Sequence, residues 1–89
     1  MEYSIEVSNA ARRQLRKLDK PTQRKVARRI DRLAIDPRPP GVVKLTDVTP
    51  PAYRVRVGQL RILYTINDDQ LVILVVRVAH RSEAYRCLR

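Results

Sequence analysis

Arg54, Arg56 and Arg61 stand in Tyr53-Arg-Val-Arg-Val-Gly-Gln-Leu-Arg-Ile-Leu-Tyr64, two runs of alternating polarity joined by Gly58-Gln59. A guanidinium is permanently charged and offers a planar fork of donors, so what three of them can do is hold an anion such as phosphate and stabilise charge building on it. Gly58-Gln59 suits a type II′ turn with glycine at its first central position. That turn pairs Val57 with Leu60, Arg56 with Arg61, Val55 with Ile62 and Arg54 with Leu63. Strand alternation then gives Tyr53, Val55 and Val57 an apolar face shared with Leu60, Ile62 and Tyr64, and leaves the three arginines together on the other face. Like charges facing each other on a sheet cost a few tenths to about 1 kcal/mol. An anion offsets that cost.

The elements that must position this hairpin are readable around it. Glu2 to Val7 alternates as a strand with Tyr3, Ile5 and Val7 inward. Ser8 and Asn9 offer caps, and Ala11, Leu15 and Leu18 give Ala10 to Leu18 the apolar stripe of a helix that stops at Asp19-Lys20-Pro21. Pro21 opens a second helix running to about Ile35, with Val26, Ile30 and Leu33 inward and Asp36-Pro37 closing it. The stretch between the breakers Asp36-Pro-Arg-Pro-Pro-Gly41 and Thr49-Pro-Pro51 reads as a loop. Asn67-Asp-Asp69 turns the chain into Gln70 to Val78, a nearly continuous apolar run expected to be the central strand. His80 to Arg89 is a polar tail or short helix. The expectation is an α+β fold: an N-terminal strand, two antiparallel helices, and a three-stranded antiparallel meander completing a four-stranded sheet.

The 89 residues make one domain, 1–89, and 19 Lys and Arg against 9 Asp and Glu give a net charge of +10, which favours polyanions. Arg12, Arg13, Arg16, Lys17, Lys20, Arg24, Lys25, Arg28, Arg29 and Arg32 lie on the exposed helix faces. They serve either as a solubilising surface or as a sequence-independent footprint on phosphates. One histidine and one cysteine cannot build a structural zinc site, and two glycines are too few for a phosphate-cradling loop, so no metal or nucleotide cofactor is expected. Cys87 cannot form an internal disulfide, Met1 to Val7 lacks the pattern of a signal peptide, and Leu71 to Val76 is too short to span a membrane, which makes the cytoplasm the expected location.

Lys44-Leu45, Tyr53-Arg-Val-Arg, Gly58-Gln-Leu-Arg-Ile-Leu-Tyr64, Asp68-Asp69 and Val76-Arg-Val-Ala-His-Arg-Ser-Glu-Ala-Tyr85 together resemble the RelE branch of the RelE/ParE toxin superfamily, over essentially the whole chain. The resemblance implies a toxin that enters the ribosomal A site, cuts messenger RNA there and is neutralised by a cognate antitoxin. It also implies attack of a ribose 2′-hydroxyl on the adjacent phosphate. Carried over by position, it makes Arg54 and Arg56 the basic pair, with Lys44 beside them as an RNA contact. Arg61 becomes the phosphate-contacting arginine, Arg81 the proton donor and Tyr85 the base-stacking tyrosine. Relatives often carry lysine at the basic pair, one acting as general base. A guanidinium has essentially no neutral form to accept a proton, so Arg54 and Arg56 are expected to act electrostatically. His80 is the one histidine, the side-chain type suited to proton transfer near neutral pH, and is the candidate general base.

Each of these residues has a plainer role to weigh. His80 suits a strand-end hydrogen bond to backbone, Arg54 and Arg56 suit an antitoxin's carboxylates, and Tyr85 suits C-terminal packing. The side on which Arg77 emerges is open, because a bulge would change the parity of its strand. At the level of function, a ParE-like gyrase poison and an inactive nucleic-acid or antitoxin-binding module are the alternatives.

Overall fold

The structure, a computed structural model, describes residues 2–49 and 51–80. Five strands and two helices follow in the order β1 (Ser4–Val7), α1 (Asn9–Arg16), α2 (Lys20–Ile35), β2 (Val43–Leu45), β3 (Ala52–Val57), β4 (Leu60–Asn67) and β5 (Val72–His80). They form one α+β unit with a sheet of spatial order β1-β5-β4-β3-β2, in which β1 runs parallel to β5 and the other neighbours are antiparallel. The expected meander is present as β3-β4-β5.

Two features of the sheet differ from expectation. It has five strands because Val43, Lys44 and Leu45, read as loop, pair with Arg54, Tyr53 and Ala52; three residues between proline breakers are too few to show a period of two. The middle strand is β4, whose Arg61, Ile62, Leu63 and Tyr64 are all buried, whereas β5 lies one place nearer the edge, between β4 and β1.

The helices form where their caps allow. Ser8 holds an extended backbone at the start of α1 and its hydroxyl accepts from the Ala11 N–H at 3.1 Å. Gln23 donates its amide to the carbonyls of Leu15 and Leu18 at 2.8 and 2.9 Å, so a side chain of α2 satisfies groups that the end of α1 leaves open. Ala11, Val26, Ile30 and Leu33 pack on Tyr53, Val55, Leu60, Ile62, Tyr64, Ile73, Val75 and Val78 to make the core. Leu15 and Leu18 of the predicted stripe are only partly buried against it.

At the end of the sheet away from Gly58, a chain of polar contacts ties four segments together. Arg38 forks onto Asp68 at 2.9 and 3.3 Å, lies 5.3 Å over the Tyr53 ring, and Asp68 also accepts from the Tyr3 hydroxyl at 2.7 Å. Tyr53 stacks on Tyr64 at 5.8 Å, and the Tyr64 hydroxyl donates to the Pro37 carbonyl at 2.7 Å. Burial pushes the Tyr64 phenol up, and the Asp68 hydrogen bond does the same for Tyr3.

Hydrogen bonds from Arg38 and then Tyr3 hold the Asp68 carboxyl below its ordinary value. A depressed carboxylate adds stability that is complete above its unfolded pKa, near 4, and disappears as pH falls through the lower folded value. Asp68→Asn is therefore expected to flatten the decline of the melting temperature below about pH 4, measured by thermal denaturation across pH. An acid limb as steep as the wild type's would contradict the linkage.

Candidate phosphate-binding face

The hairpin forms in the register its alternation predicts: Val57 opposite Leu60, Arg56 opposite Arg61, Val55 opposite Ile62 and Arg54 opposite Leu63. Gly58 has φ +59° and Gln59 does not share that region, which is the signature of type II′ rather than type I′. Tyr53, Val55, Leu60, Ile62 and Tyr64 enter the core with Val57 at its margin, so the strand pleat turns Arg54, Arg56 and Arg61 to the side away from the helices. Arg56 is exposed, Arg54 is half-buried and Arg61 is only 8% exposed. A cleft of about 130 Å³ between Arg56, Gly58, Gln59 and Arg61 opens at the hairpin tip.

A displacement in β5 decides what joins these arginines. Leu63 pairs with Arg77 but Tyr64 pairs with Val75, leaving Val76 as the extra residue of a β-bulge. Ile73 and Val75 face the helices before it, and Val78 does so after it. The parity change brings Arg77 onto the face of Arg54 and Arg61, opposite the fully buried Leu63. Arg77 is thus a member of the cationic face that sequence reasoning left open. The same change sends His80 the other way: it pairs with Leu60, a core residue, and so belongs to the helix side. There it lines a groove of about 400 Å³ with Lys17, Asp19, Lys25, Gly58 and Gln59. A hydrogen bond from Thr22, with some help from Lys25, lowers the Asp19 carboxyl.

Two of the candidate site residues stand apart from this face. His80 does not share a sheet face with Arg61, and Lys44, which pairs with Tyr53, does not share one with Arg54 and Arg56. Arg81 and Tyr85 lie outside the described residues. Of the helix cations, nine are exposed and Arg29 is half-buried. Among the described residues, no three His, Cys, Asp or Glu side chains gather as they would around a metal ion, and no helix is long and apolar enough to cross a membrane.

The eleven outward positions of β3, β4 and β5 read Ala52, Arg54, Arg56; Arg61, Leu63, Thr65, Asn67; and Val72, Leu74, Arg77, Ala79. They hold four arginines and no carboxylate. Among the described residues of the neighbouring β1, Glu6 lies on this face, opposite Leu74. Such a surface can bind a polyanion through its backbone, but it has few groups for reading bases.

A family model described as ParE toxin of type II toxin-antitoxin system, parDE, matches residues 5–85. RelE1 of Methanocaldococcus jannaschii is 25% identical over 88 residues, covering 97% of this chain and 98% of that protein. The archaeal RelE-RelB complex of Pyrococcus horikoshii contains a chain 26% identical, with a TM-score of 0.80 over 91% of this chain and 97% of that one. The Mycobacterium tuberculosis toxin-antitoxin complex RelBE2 contains one 27% identical, with a TM-score of 0.80 over 91% of this chain and 100% of that one.

Proposed function

This chain belongs to the ParE toxin family of type II toxin-antitoxin systems, within the RelE/ParE superfamily, and we propose that it acts as an endoribonuclease that cuts messenger RNA in the ribosomal A site of the cytoplasm and so stops translation. The observation that carries this reading is the convergence of Arg54, Arg56 and Arg61 on one sheet face.

The reaction suited to such a surface needs no metal. The 2′-oxygen of a ribose attacks the adjacent phosphorus, the bond to the following 5′-oxygen breaks, and the products are a cyclic phosphate and a 5′-hydroxyl. One proton leaves the 2′-hydroxyl and one is delivered to the departing oxygen. Negative charge grows on the phosphorane oxygens in between, and preorganised guanidinium groups stabilise it more than they stabilise the substrate, by about 3 to 4 kcal/mol per well-placed donor. Arg61, mostly buried and so held in place, is the main donor, with Arg56 across the cleft and Arg54 behind it. Arg81 as proton donor and Tyr85 as a base-stacking ring remain part of the proposal through the family resemblance. Because the face has little with which to read bases, a ribosome that presents the messenger in fixed geometry accounts for catalysis by so small a surface. The RelE-RelB and RelBE2 complexes support a cognate antitoxin as the second partner, and its carboxylates would neutralise the cations that RNA uses.

Proton removal by His80 does not suit a phosphate seated on the arginine side. His80→Gln is expected to lower the cleavage rate less than tenfold and to leave the shape of its pH profile unchanged, whereas loss of a general base costs about 10²- to 10⁴-fold. Single-turnover rates between pH 5.5 and 8.5 decide this.

Primer extension on messenger from a translating extract tests the function itself. New breaks within codons, absent with Arg61→Ala, support the reading; intact messenger at inhibitory doses refutes it. The description of the matching family model as ParE favours one alternative, a gyrase poison acting without cleavage. Toxin-dependent loss of supercoiling activity in purified gyrase would favour that instead.

A further inference from the structure

The bulge in β5 is held from outside the sheet. A bulge leaves backbone groups that the neighbouring strands no longer pair, and buried groups of that kind need partners. Both partners here come from helix α1, one from its N-cap and one from its last turn. The Ser8 hydroxyl donates to the Val76 carbonyl at 2.7 Å while its oxygen caps the helix, and Gln14 Oε1 accepts from the Val78 N–H at 2.8 Å. Ser8 N–H adds a third tie, to the Val75 carbonyl at 2.9 Å. The extra residue is thus fixed at Val76, and with it the side on which Arg77 emerges.

We propose that Arg77 is a second phosphate-binding arginine of this face, positioned by the α1-locked bulge, and that with Arg54 it seats the phosphodiester next to the one held by Arg56 and Arg61. The register supplies the geometry. Arg54, Leu63 and Arg77 form one row across three strands, and Arg56, Arg61 and Ala79 form the next. The rows are two residues apart along the strands, about 6.8 Å, comparable with the step between successive phosphates of an extended single strand. Leu63, fully buried in register between Arg54 and Arg77, keeps water from the base of both side chains. This inference rests on the nucleic-acid reading of the face and adds a subsite to it. Ser8 and Gln14 are positioning residues, since they act through the backbone of β5.

The test is the salt dependence of binding to a fully 2′-O-methylated oligoribonucleotide, which the proposed reaction cannot cleave. Each neutralised phosphate of a single strand contributes about 0.7 to the slope of log K against log salt. Arg77→Gln is expected to make the slope shallower by about that amount, and Arg77→Lys, which keeps the charge, to retain the wild-type slope. Gln14→Leu should mimic Arg77→Gln, with no further change in the double variant; a purely structural loss would weaken binding without this equivalence. One neutral methylphosphonate linkage, scanned along the oligonucleotide on wild-type protein, should find a position whose effect vanishes in Arg77→Gln. An unchanged slope in Arg77→Gln with native-like melting overturns the proposal. If the slope changes but the toxin leaves messenger intact, the phosphate contact stands and the nuclease reading falls. If cleavage is confirmed and the slope does not change, only the second subsite falls.

Discussion

Arg61→Ala is expected to slow messenger cleavage by about 10²- to 10³-fold while the protein still folds, because it removes the donor placed closest to the charge that develops on the phosphorane. Arg61 is 8% exposed and paired in register with Arg56, so its guanidinium is held before substrate arrives. Preorganisation of this kind is what makes a donor worth several kcal/mol in a transition state and little in the ground state. The rate should therefore fall with little change in affinity for the ribosome. Arg61→Lys should recover part of the loss, since it keeps the charge but not the planar fork. Single-turnover cleavage of a programmed ribosome complex measures both variants. Equal losses in rate and affinity would mean that Arg61 only binds.

Ile62→Ala, one residue along, should have the opposite character. Ile62 is fully buried on the helix side of the middle strand and belongs to the core with Val26, Ile30 and Leu33. Truncation leaves a cavity costing about 2 to 5 kcal/mol, against a total stability of about 5 to 15 kcal/mol for a domain of this kind. Urea unfolding is expected to show a midpoint lowered by roughly a third, the ratio of the central values. Cleavage per folded molecule should stay near the wild-type rate, because the outward face is built by alternation and is not touched. The two neighbouring substitutions thus separate function from fold by strand parity alone, and a collapse of specific activity in Ile62→Ala would show that the two faces are not independent.

That parity was open to reading in some segments and hidden in others. Between Tyr53 and Tyr64 every second residue is apolar and Gly58 fixes the turn, so register, core face and arginine face follow from the sequence. Along β5 the same rule is silent: Val75, Val76, Val78 and Ala79 are apolar on both parities, and nothing in that run marks Val76 as the residue that drops out of the ladder. The information sits 68 and 64 residues away, in a serine and a glutamine whose obvious meaning is a helix cap and a polar helix residue. His80 and Arg77 are consequently exchanged between faces relative to an unbroken strand. The side on which Lys44 emerges is hidden for a related reason, since a strand of three residues does not declare its register. The ion pair of Arg38 with Asp68 spans 30 residues, and its only sequence trace was an acidic turn.

Helix content, order of elements and the face carrying the cations were legible because each rests on local periodicity or a local breaker. The subsite at Arg77 was not, because it rests on a tertiary hydrogen bond that changes a strand's phase. A search of apolar strands for nearby cap residues with spare hydrogen-bonding capacity is the one signal that would have raised it.

A programmed ribosome carrying a messenger with one 2′-deoxy nucleotide in the A-site codon shows whether this arginine face serves an attack by a ribose hydroxyl on its own phosphate. The break at the substituted linkage is expected to disappear while an otherwise identical all-ribose message is cut there, yielding a cyclic phosphate and a 5′-hydroxyl. Cleavage at the deoxy linkage at an undiminished rate would contradict it.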